Sequence, residues 1–308
     1  MMTGSDRVDM NNLRIGFVGA GVLGNGLSLA LSSKGYQIVA ISSRSFSSAK
    51  SLSIKIPNCY PVSDPQKVAD SSDLVMITTP DSVVSLIASQ IQWNPSQAVI
   101  HCSGSLTLEC LSHARDQGAL TGSLHPFQTF AGIESFEDGM VRLQGSTFTV
   151  EGDGWLGTLL DKIVSDLGGR LLNWDPKYRA LYHASAVLSC GYVVALLEAA
   201  CSIWQSFGYS TEDALTAILP ITKNTLEAAS GGNLKQIITG PIIRGDIQTV
   251  ERHLVALGES LPDLVPLYCV IGLQSIRLAS PTLDGHVIKK LDSLLKNCIQ
   301  KYAAYLHE

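Results

Sequence analysis

The chain has 308 residues, of which 45% are hydrophobic and 16% charged. This composition is typical of a globular protein with a large core and excludes an intrinsically disordered chain. The 22 basic and 27 acidic residues give a net charge of −5, which argues against nucleic acid as a partner because such a partner requires a basic face. The low charged fraction predicts that a partner subunit covers some apolar surface, with a large monomeric core as the alternative.

The cysteines and the apolar segments indicate in which cellular compartment the protein is expected. Seven cysteines without a CxxC pair predict reduced thiols in a cytoplasmic protein, with no metal site. Residues 1–11 contain no apolar segment of the secretory type and are predicted to form a short disordered extension. The uncharged run at 184–197 is too short to span a bilayer, so we expect no membrane segment and predict a buried helix there.

Apolar runs alternate with helical patterns through the first half of the chain. Strands are predicted at 13–18, 36–42, 74–80, 98–103, 119–125, 147–152 and 170–174. Helical patterns follow several of these runs, as at 81–91. Strands that alternate with helices form βαβ units, so we predict an α/β fold with a doubly wound, mostly parallel sheet, a Rossmann domain, over residues 12–174.

The pattern changes to all-helical after Asp175. Helices are predicted at 177–207, 211–230, 246–258, 262–279 and 283–306. Asp246 is suited to cap the third of them, because its carboxylate can accept backbone N–H bonds. We therefore predict an all-α C-terminal domain, residues 175–308, for substrate binding and dimerisation.

A glycine-rich turn follows the first predicted strand. It matches the pattern G-x-G-x-x-G and consists of Gly19, Ala20, Gly21, Val22, Leu23 and Gly24. In a strand–turn–helix context the first two glycines permit a tight turn and a close approach to a pyrophosphate, and the helix N-terminus attracts its charge. This predicts a dinucleotide site; a glycine turn without a ligand is the alternative.

The end of the second predicted strand indicates which dinucleotide binds. NAD-binding chains carry Asp or Glu about 20 residues after the turn, to bind the ribose 2′-hydroxyl. This chain has no carboxylate between Asp9 and Asp64, and the expected position is occupied by Ser42, Ser43, Arg44 and Ser45. An arginine can bind a 2′-phosphate through charge-assisted hydrogen bonds, so NADP(H) is the predicted cofactor. The alternative is that Arg44 is a solvated surface charge.

Two later loops are predicted to contact the same ligand. Each follows a predicted strand, at the sheet edge where dinucleotides lie. Their residues are Thr78, Thr79, Pro80 and Asp81 in one loop and Ser103 and Gly104 in the other. Turn and helix-capping roles, with Asp81 as an N-cap, are the alternative.

Hydride transfer to a carbonyl or imine requires a proton donor and usually a group that holds the anion of the substrate. The catalytic candidates are His125, His183 and Arg179, and the substrate-binding candidates are Arg244 and Lys177. Each histidine has a structural role as its alternative, and His101, within a strand, is predicted to be a packed side chain. No Tyr-x-x-x-Lys pair occurs in the first half, which argues against a short-chain dehydrogenase.

Several longer motifs together resemble a known family. They are GFVGAGVLGNGLSLAL, ISSRS, ITTPDSVV, HCSGSL, GSLHPFQTF, YHASAVLSCGYVVALLEAA and TGPIIRGDIQTVERHLVAL. The resemblance, over about residues 13–280, is to Rossmann-like proteins with a helical C-terminal domain of unknown function (number 2520), related to pyrroline-5-carboxylate reductase and the 6-phosphogluconate dehydrogenase superfamily. It implies NADP(H) on the first domain and a helical domain that forms a homodimer and closes the substrate cleft. The chain departs from the family pattern at Arg179, where lysine is usual, and at Cys190-Gly191, where Ser-Asn is usual.

Three functions are consistent with these features. The first is an NADP(H)-dependent oxidoreductase for a small anionic keto or imino compound held between the two domains. The second is a non-catalytic NADP(H)-binding sensor or scaffold, which the departures in the helix favour. The third is an enzyme like prephenate dehydrogenase, suggested by the Ser-Leu-His-Pro segment at 123–126.

Overall fold

The computed structural model describes residues 12–133, 135–279 and 283–306, so the extension predicted over 1–11 lies outside the described residues. The chain divides into two compact units, Met1–Cys190 and Gly191–Glu308. The sequence pattern changes earlier, at 174/175. The difference arises because the helix at Arg179–Ser189 bonds to strands of the first unit.

The first unit is built on an eight-stranded sheet. Its strands are β1 (Arg14–Val18), β2 (Gln37–Ser42), β3 (Tyr60–Val62), β4 (Leu74–Ile77), β5 (Ala98–His101), β6 (Leu120–Pro126), β7 (Thr147–Glu151) and β8 (Arg170–Leu171). Their order is β3-β2-β1-β4-β5-β6-β7-β8. Strands β1 to β6 pair in parallel, and β7 pairs antiparallel with β6. The predicted α/β fold with a mostly parallel, doubly wound sheet is confirmed.

Alternation along the central strands gives the sheet an apolar surface on both faces. In β4, Leu74 and Met76 belong to one buried cluster, whereas Val75 and Ile77 belong to another. Successive side chains point to opposite faces of a strand, so a strand buried on both sides is apolar throughout. Helices cover both faces, and β1 lies where the strand order reverses, which is the usual position of a ligand crevice in such sheets.

The helices of the first unit mostly connect consecutive strands. They are α1 (Val22–Ser33), α2 (Phe46–Ser53), α3 (Pro65–Ser71), α4 (Asp81–Gln90), α5 (Ser112–Asp116), α6 (Phe136–Leu143), α7 (Gly154–Asp166) and α8 (Arg179–Ser189). Short 3-10 turns precede α5 at Leu108–Leu111 and α8 at Pro176–Tyr178. The edge strand β3 is absent from the predicted strands, because its three residues are too few for a periodic pattern and include Pro61.

The second unit is all-helical in its described part. Its helices are α9 (Gly191–Ser206), α10 (Thr211–Ala229), α11 (Leu234–Ile237), α12 (Ile247–Ser260), α13 (Leu264–Ala279) and α14 (Gly285–Lys301), with a 3-10 turn at Ala303–Leu306. Helices α12 to α14 enclose its core, where Val250, Val265, Leu291 and Leu295 are fully buried. Helices α9 and α10 pack on each other.

The helix predicted over 177–207 is interrupted, and the prediction that 184–197 forms a buried helix is wrong. The backbone leaves helical geometry at Cys190, between α8 and α9. By length and composition alone, Pro176–Ser206 is the one described stretch apolar enough to cross a membrane, yet only 11% of its most apolar window is buried. Leu188, Tyr192 and Val194 are each more than half exposed. The apolar composition of a segment therefore does not by itself show that the fold buries it.

Candidate functional site

The glycine turn after β1 is held by backbone contacts with two other strand ends. Gly19 has a φ of +121°, its N–H donates to the Ser42 carbonyl at 2.8 Å, and its carbonyl accepts from the Thr78 hydroxyl at 2.8 Å. A Cβ at Gly24 would lie 2.3 Å from the Gly19 oxygen. The loops after β1, β2 and β4 therefore meet, and two of the predicted cofactor glycines are required by packing alone.

The middle glycine of the turn has a different environment. A Cβ built at Gly21 meets no atom within 4 Å. Gly21 is the N-cap of α1, without a side-chain cap and without an acidic residue in the first turn. The first amides of a helix have no partner within the helix, so this end of α1 can donate to an anion. Ala20 is buried beside it, and Val22 is exposed on the first turn.

Of the four residues predicted to select NADP, Ser42 and Ser45 form hydrogen bonds within the protein, Ser43 is half-buried and Arg44 is exposed. Ser42 is buried and its carbonyl accepts from the Gly19 N–H, while Ser45 occupies the N-cap position of α2 without a side-chain cap and shares a hydrogen bond of 2.7 Å with the Ser47 hydroxyl. Arg44 is exposed, and no described residue pairs with its guanidinium. A cation without an internal partner beside an open turn fits a 2′-phosphate.

The loop after β4 is joined to the loop after β5. Asp81 is the first residue of α4 rather than its N-cap, which is Pro80. Its carboxylate accepts hydrogen bonds from Ser103 at 2.6 Å and Ser105 at 2.7 Å. Asp81 therefore does not cap α4. Its hydrogen bonds instead join the loop after β4 to the loop after β5. Thr79 retains a buried hydroxyl without a protein partner.

The buried guanidinium of Arg179 is paired within the first unit. It forms an ion pair with Glu151 of β7, donates to the Ser103 carbonyl and the Ser123 hydroxyl at 3.4 Å each, and lies over the ring of Trp174. The Arg179 side chain is 4% exposed and that of Glu151 is 15% exposed. The charge of Arg179 is thus balanced by the protein, which makes it a weak candidate for holding a substrate anion.

His125 lies at the carboxyl end of β6, beside α8. Its Nδ1 is 2.7 Å from the Tyr182 hydroxyl, and the two rings meet edge to face. A Cβ at Gly104 would lie 2.7 Å from its Nε2, so only glycine permits this approach. Burial lowers the pKa of His125 to about 4, and the charges of His183 and Arg179 act in the same direction. The imidazole is therefore neutral at physiological pH.

Two other histidines that the sequence singled out, His101 and His183, each have a buried ring nitrogen without a protein partner. His101 is fully buried and its Nδ1 accepts from the Ser103 N–H at 3.2 Å, so the prediction of a packed histidine is confirmed. Burial lowers the pKa of His101 to about 4. The Nδ1 of His183 is buried and has no protein partner. His183 directly follows Tyr182 in the sequence, and it lies close enough to His125 to lower the pKa of that residue.

The two predicted substrate-binding cations are both exposed. Lys177 forms an exposed ion pair with Asp175 at 2.6 Å and covers the ring of Tyr178. Arg244 is exposed in the second unit, in the turn before α12. The predicted N-cap of that helix is confirmed, because Asp246 accepts from the Thr249 N–H at 3.0 Å.

Sequence reasoning missed the residues that surround Arg179 and His125. Tyr182 and Trp174 supply the aromatic surface, and Glu151 with Ser123 supplies the partners of Arg179. A signal for Tyr182 was its position three residues after Arg179, on the same helix face. Glu151 had no such signal, because its contact with Ser123 depends on the antiparallel register of β6 and β7.

Metal chemistry has no evident centre in the described part of the chain. No group of three or more His, Cys, Asp or Glu side chains is placed there to hold a metal ion. The arrangement instead combines an open helix N-terminus with a neutral imidazole, a phenol and a balanced ion pair at neighbouring strand ends.

Comparison with known proteins agrees with this architecture. A profile of Rossmann-like domains matches residues 2–126, and the profile of a domain of unknown function, DUF2520, matches residues 146–275. A search of curated proteins finds no significant match.

Solved structures share the fold at low sequence identity. A candidate NADP oxidoreductase from Bacteroides fragilis is 24% identical, with a TM-score of 0.68, over 86% of this chain and 98% of that chain. The pyrroline carboxylate reductase of Plasmodium falciparum, solved with NADP bound, is 16% identical with a TM-score of 0.56, over 92% of this chain and 98% of that chain. A reductive aminase from Aspergillus terreus, in complex with NADPH and ethyl-5-oxohexanoate, is 16% identical with a TM-score of 0.58, over 94% of each chain.

These matches agree with the domain order read from the sequence motifs. Residues 2–126 thus match a Rossmann-like domain and residues 146–275 match DUF2520, the two parts that the sequence motifs predict in this order.

Proposed function

We propose that this chain is an NADP(H)-dependent oxidoreductase that reduces a small anionic keto or imino compound, or oxidises the product in reverse. The observation that carries the proposal is the open turn at Gly21, where three strand-end loops meet at a helix N-terminus without a side-chain cap. The NADP and NADPH found with two of the structural neighbours support the same cofactor.

The residues of the turn fit the nucleotide in shape and charge. The first amides of α1 are suited to the pyrophosphate, because Gly21 leaves their surroundings open. Arg44 is suited to the 2′-phosphate, with Ser43 as a neighbouring hydroxyl. Bound NADPH would supply the hydride, and the chain would orient the acceptor beside it.

Replacement of Arg44 tests the cofactor. We expect Arg44→Ala to weaken NADPH binding by about 1–3 kcal/mol, or roughly 5- to 150-fold in Kd, since a charge-assisted hydrogen bond is lost. NADH lacks the 2′-phosphate, so its binding should change little. Arg170→Ala is the matched control, because Arg170 is an exposed arginine on β8 at the opposite end of the sheet. Equal losses for NADPH and NADH would contradict the assignment.

The predicted acid–base group is tested by turnover. A panel of keto and imino acids with NADPH should include a substrate whose reduction His125→Ala abolishes. The anion of that substrate needs a cation other than Arg179, whose charge Glu151 balances. Lys177 and Arg244 remain the proposed candidates. Tight NADPH binding without turnover of any compound would favour the alternative function, a sensor or scaffold.

We also propose a homodimer formed through the helical unit. Tyr192, Val194 and Leu196 of α9 are exposed, and an apolar groove of about 280 Å³ lies between α9, α12 and α13. Apolar surface of this kind on a monomer usually marks an interface. Light scattering at micromolar concentration should give twice the chain mass, and a stable monomer would contradict the proposal. The cytoplasmic location stays a prediction.

A further inference from the structure

The two nitrogens of the His125 ring have different surroundings. Nδ1 is 2.7 Å from the Tyr182 hydroxyl. Nε2 faces Gly104, and no described residue hydrogen-bonds to it. A Cβ at position 104 would lie 2.7 Å from Nε2 and 2.8 Å from Cε1, so any other residue there would cover this nitrogen. The ring is thus fixed by the hydrogen bond at Nδ1, while Nε2 remains free to bond to a substrate.

Tyr182 is placed to decide which nitrogen carries the proton. Burial lowers the pKa of His125 to about 4, so the neutral ring holds one proton at pH 7. Burial raises the pKa of Tyr182, so the phenol keeps its proton and can donate it to Nδ1. A neutral imidazole that accepts at one nitrogen carries its hydrogen on the other.

The charged groups around the pair leave this assignment intact. Arg179, next along α8, is neutralised by Glu151, and the Asp81 carboxylate receives two hydroxyl hydrogen bonds. The charge of Asp81 raises the pKa of His125, but the opposing effects of burial, His183 and Arg179 are larger.

We propose that Tyr182 holds His125 in its Nε2–H tautomer, as a neutral hydrogen-bond donor for the oxygen of a ketone or aldehyde substrate rather than for a protonated imine. This rests on the proposed reductase function and narrows its substrate class. A carbonyl oxygen has lone pairs that accept from Nε2–H. A protonated imine nitrogen has none, and it requires an acceptor instead. A neutral histidine used to polarise a carbonyl is a known catalytic device.

The proton inventory of the reduction closes with these two side chains. A hydride from bound NADPH would be delivered to the carbonyl carbon, and the π electron pair of the C=O bond would move to oxygen. That oxygen takes the proton from Nε2 of His125, and the Tyr182 hydroxyl proton moves to Nδ1. Nε2 of His125 then takes a proton from solvent water, and Nδ1 returns its proton to the Tyr182 phenolate, which restores the Nε2–H tautomer. The carbonyl is reduced to an alcohol, NADPH is oxidised to NADP⁺, and one proton is drawn from water.

The tautomer is testable without substrate or nucleotide. Nitrogen-15 NMR of the full chain at pH 7, with the His125 signal assigned by its loss in His125→Gln, should show protonated Nε2 and unprotonated Nδ1. In Tyr182→Phe, which keeps the ring contacts with Phe127 and Trp174, the Nδ1–H population should rise at least several-fold. Tyr178→Phe is the matched control, because it removes the same hydroxyl group from an exposed tyrosine that directly precedes α8. A wild-type Nδ1–H tautomer, or a tautomer unchanged in Tyr182→Phe, would overturn the role of Tyr182.

The substrate class is tested with paired compounds. A 2-oxo acid and a cyclic imine acid of the same carbon count, protonated at the assay pH, are compared with NADPH. We expect the 2-oxo acid to be reduced at least tenfold faster, and Tyr182→Phe to lower kcat about 10²-fold with unchanged NADPH affinity. Preference for the imine, or full turnover in Tyr182→Phe, would overturn the assignment. NADPH binding without reduction of any compound would reject the reductase function and the substrate class, while the NMR result would still decide the tautomer.

Discussion

Glu151→Gln should destabilise the first unit strongly, because it leaves the buried charge of Arg179 without a counterion. The substitution keeps the size of the side chain and an oxygen that can accept from Ser123, which donates to Glu151 at 3.0 Å. It removes only the negative charge. The effect therefore reports on the ion pair rather than on packing.

The expected loss of unfolding free energy is about 3–5 kcal/mol, the usual effect of removing one partner of a buried pair. The guanidinium of Arg179 has few other partners. Its bonds to the Ser103 carbonyl and the Ser123 hydroxyl are long, at 3.4 Å, and its Nε has no protein partner. These contacts cannot replace the carboxylate.

Urea unfolding at pH 7, followed by tryptophan fluorescence, measures the loss, since Trp174 lies under the guanidinium at 5.0 Å. Asp175→Asn is the matched control, because its pair with Lys177 is 48% and 63% exposed and should change stability by less than about 1 kcal/mol. Adding Arg179→Met to Glu151→Gln should recover most of the loss, since the uncompensated charge is gone. A loss no larger than that of the control, or no recovery in the double variant, would refute the reasoning.

Two further predictions concern the glycine turn and a buried histidine. Gly24→Ala should destabilise the fold by more than 2 kcal/mol, because its Cβ would lie 2.3 Å from the Gly19 oxygen and 2.6 Å from the Thr78 hydroxyl, whereas Gly21→Ala should unfold like the wild type and bind NADPH more weakly. Equal stability of the two variants in thermal unfolding would contradict this. The pKa of His101 is about 4 in the fold against 6.5 as its ordinary value, so its contribution is present above pH 6.5 and is lost as the pH falls toward 4. Over that range the wild type should lose up to about 3 kcal/mol more than His101→Gln in urea unfolding, at about 1.4 kcal/mol per pH unit, and parallel curves for the two proteins would show that His101 does not titrate as expected.

Local patterns predicted the parts of the site that depend on neighbours in sequence. The turn from Gly19 to Gly24 was evident because its glycine spacing is typical of a dinucleotide-binding turn between a strand and a helix. Ser103 and Asp81 were expected at the ligand edge, since both follow strands of a parallel sheet. Their mutual hydrogen bond was not expected, because it joins residues 22 positions apart.

The pairing of Arg179 is an example of what local sequence patterns cannot predict. An arginine near a predicted cleft suggests an anion site, yet this one is buried against Glu151. Only the antiparallel return of β7 beside β6 brings that carboxylate within reach. The apolar run at 184–197 is a second example. Its composition is typical of a buried core helix, although most of its side chains are exposed.

Apart from the edge strand β3 and the break at Cys190, the sequence by itself determined the order of strands and helices, the doubly wound sheet and the cofactor expected at the turn. These follow from hydrophobic period, turn chemistry and the absence of an acid near Arg44, all of which are local properties. The tertiary structure alone decided the pairing of Arg179 with Glu151 and of His125 with Tyr182. Such contacts join residues 28 and 57 positions apart, and strand register and helix docking set their distances. Chemistry at this site therefore depends on partners that no local pattern specifies.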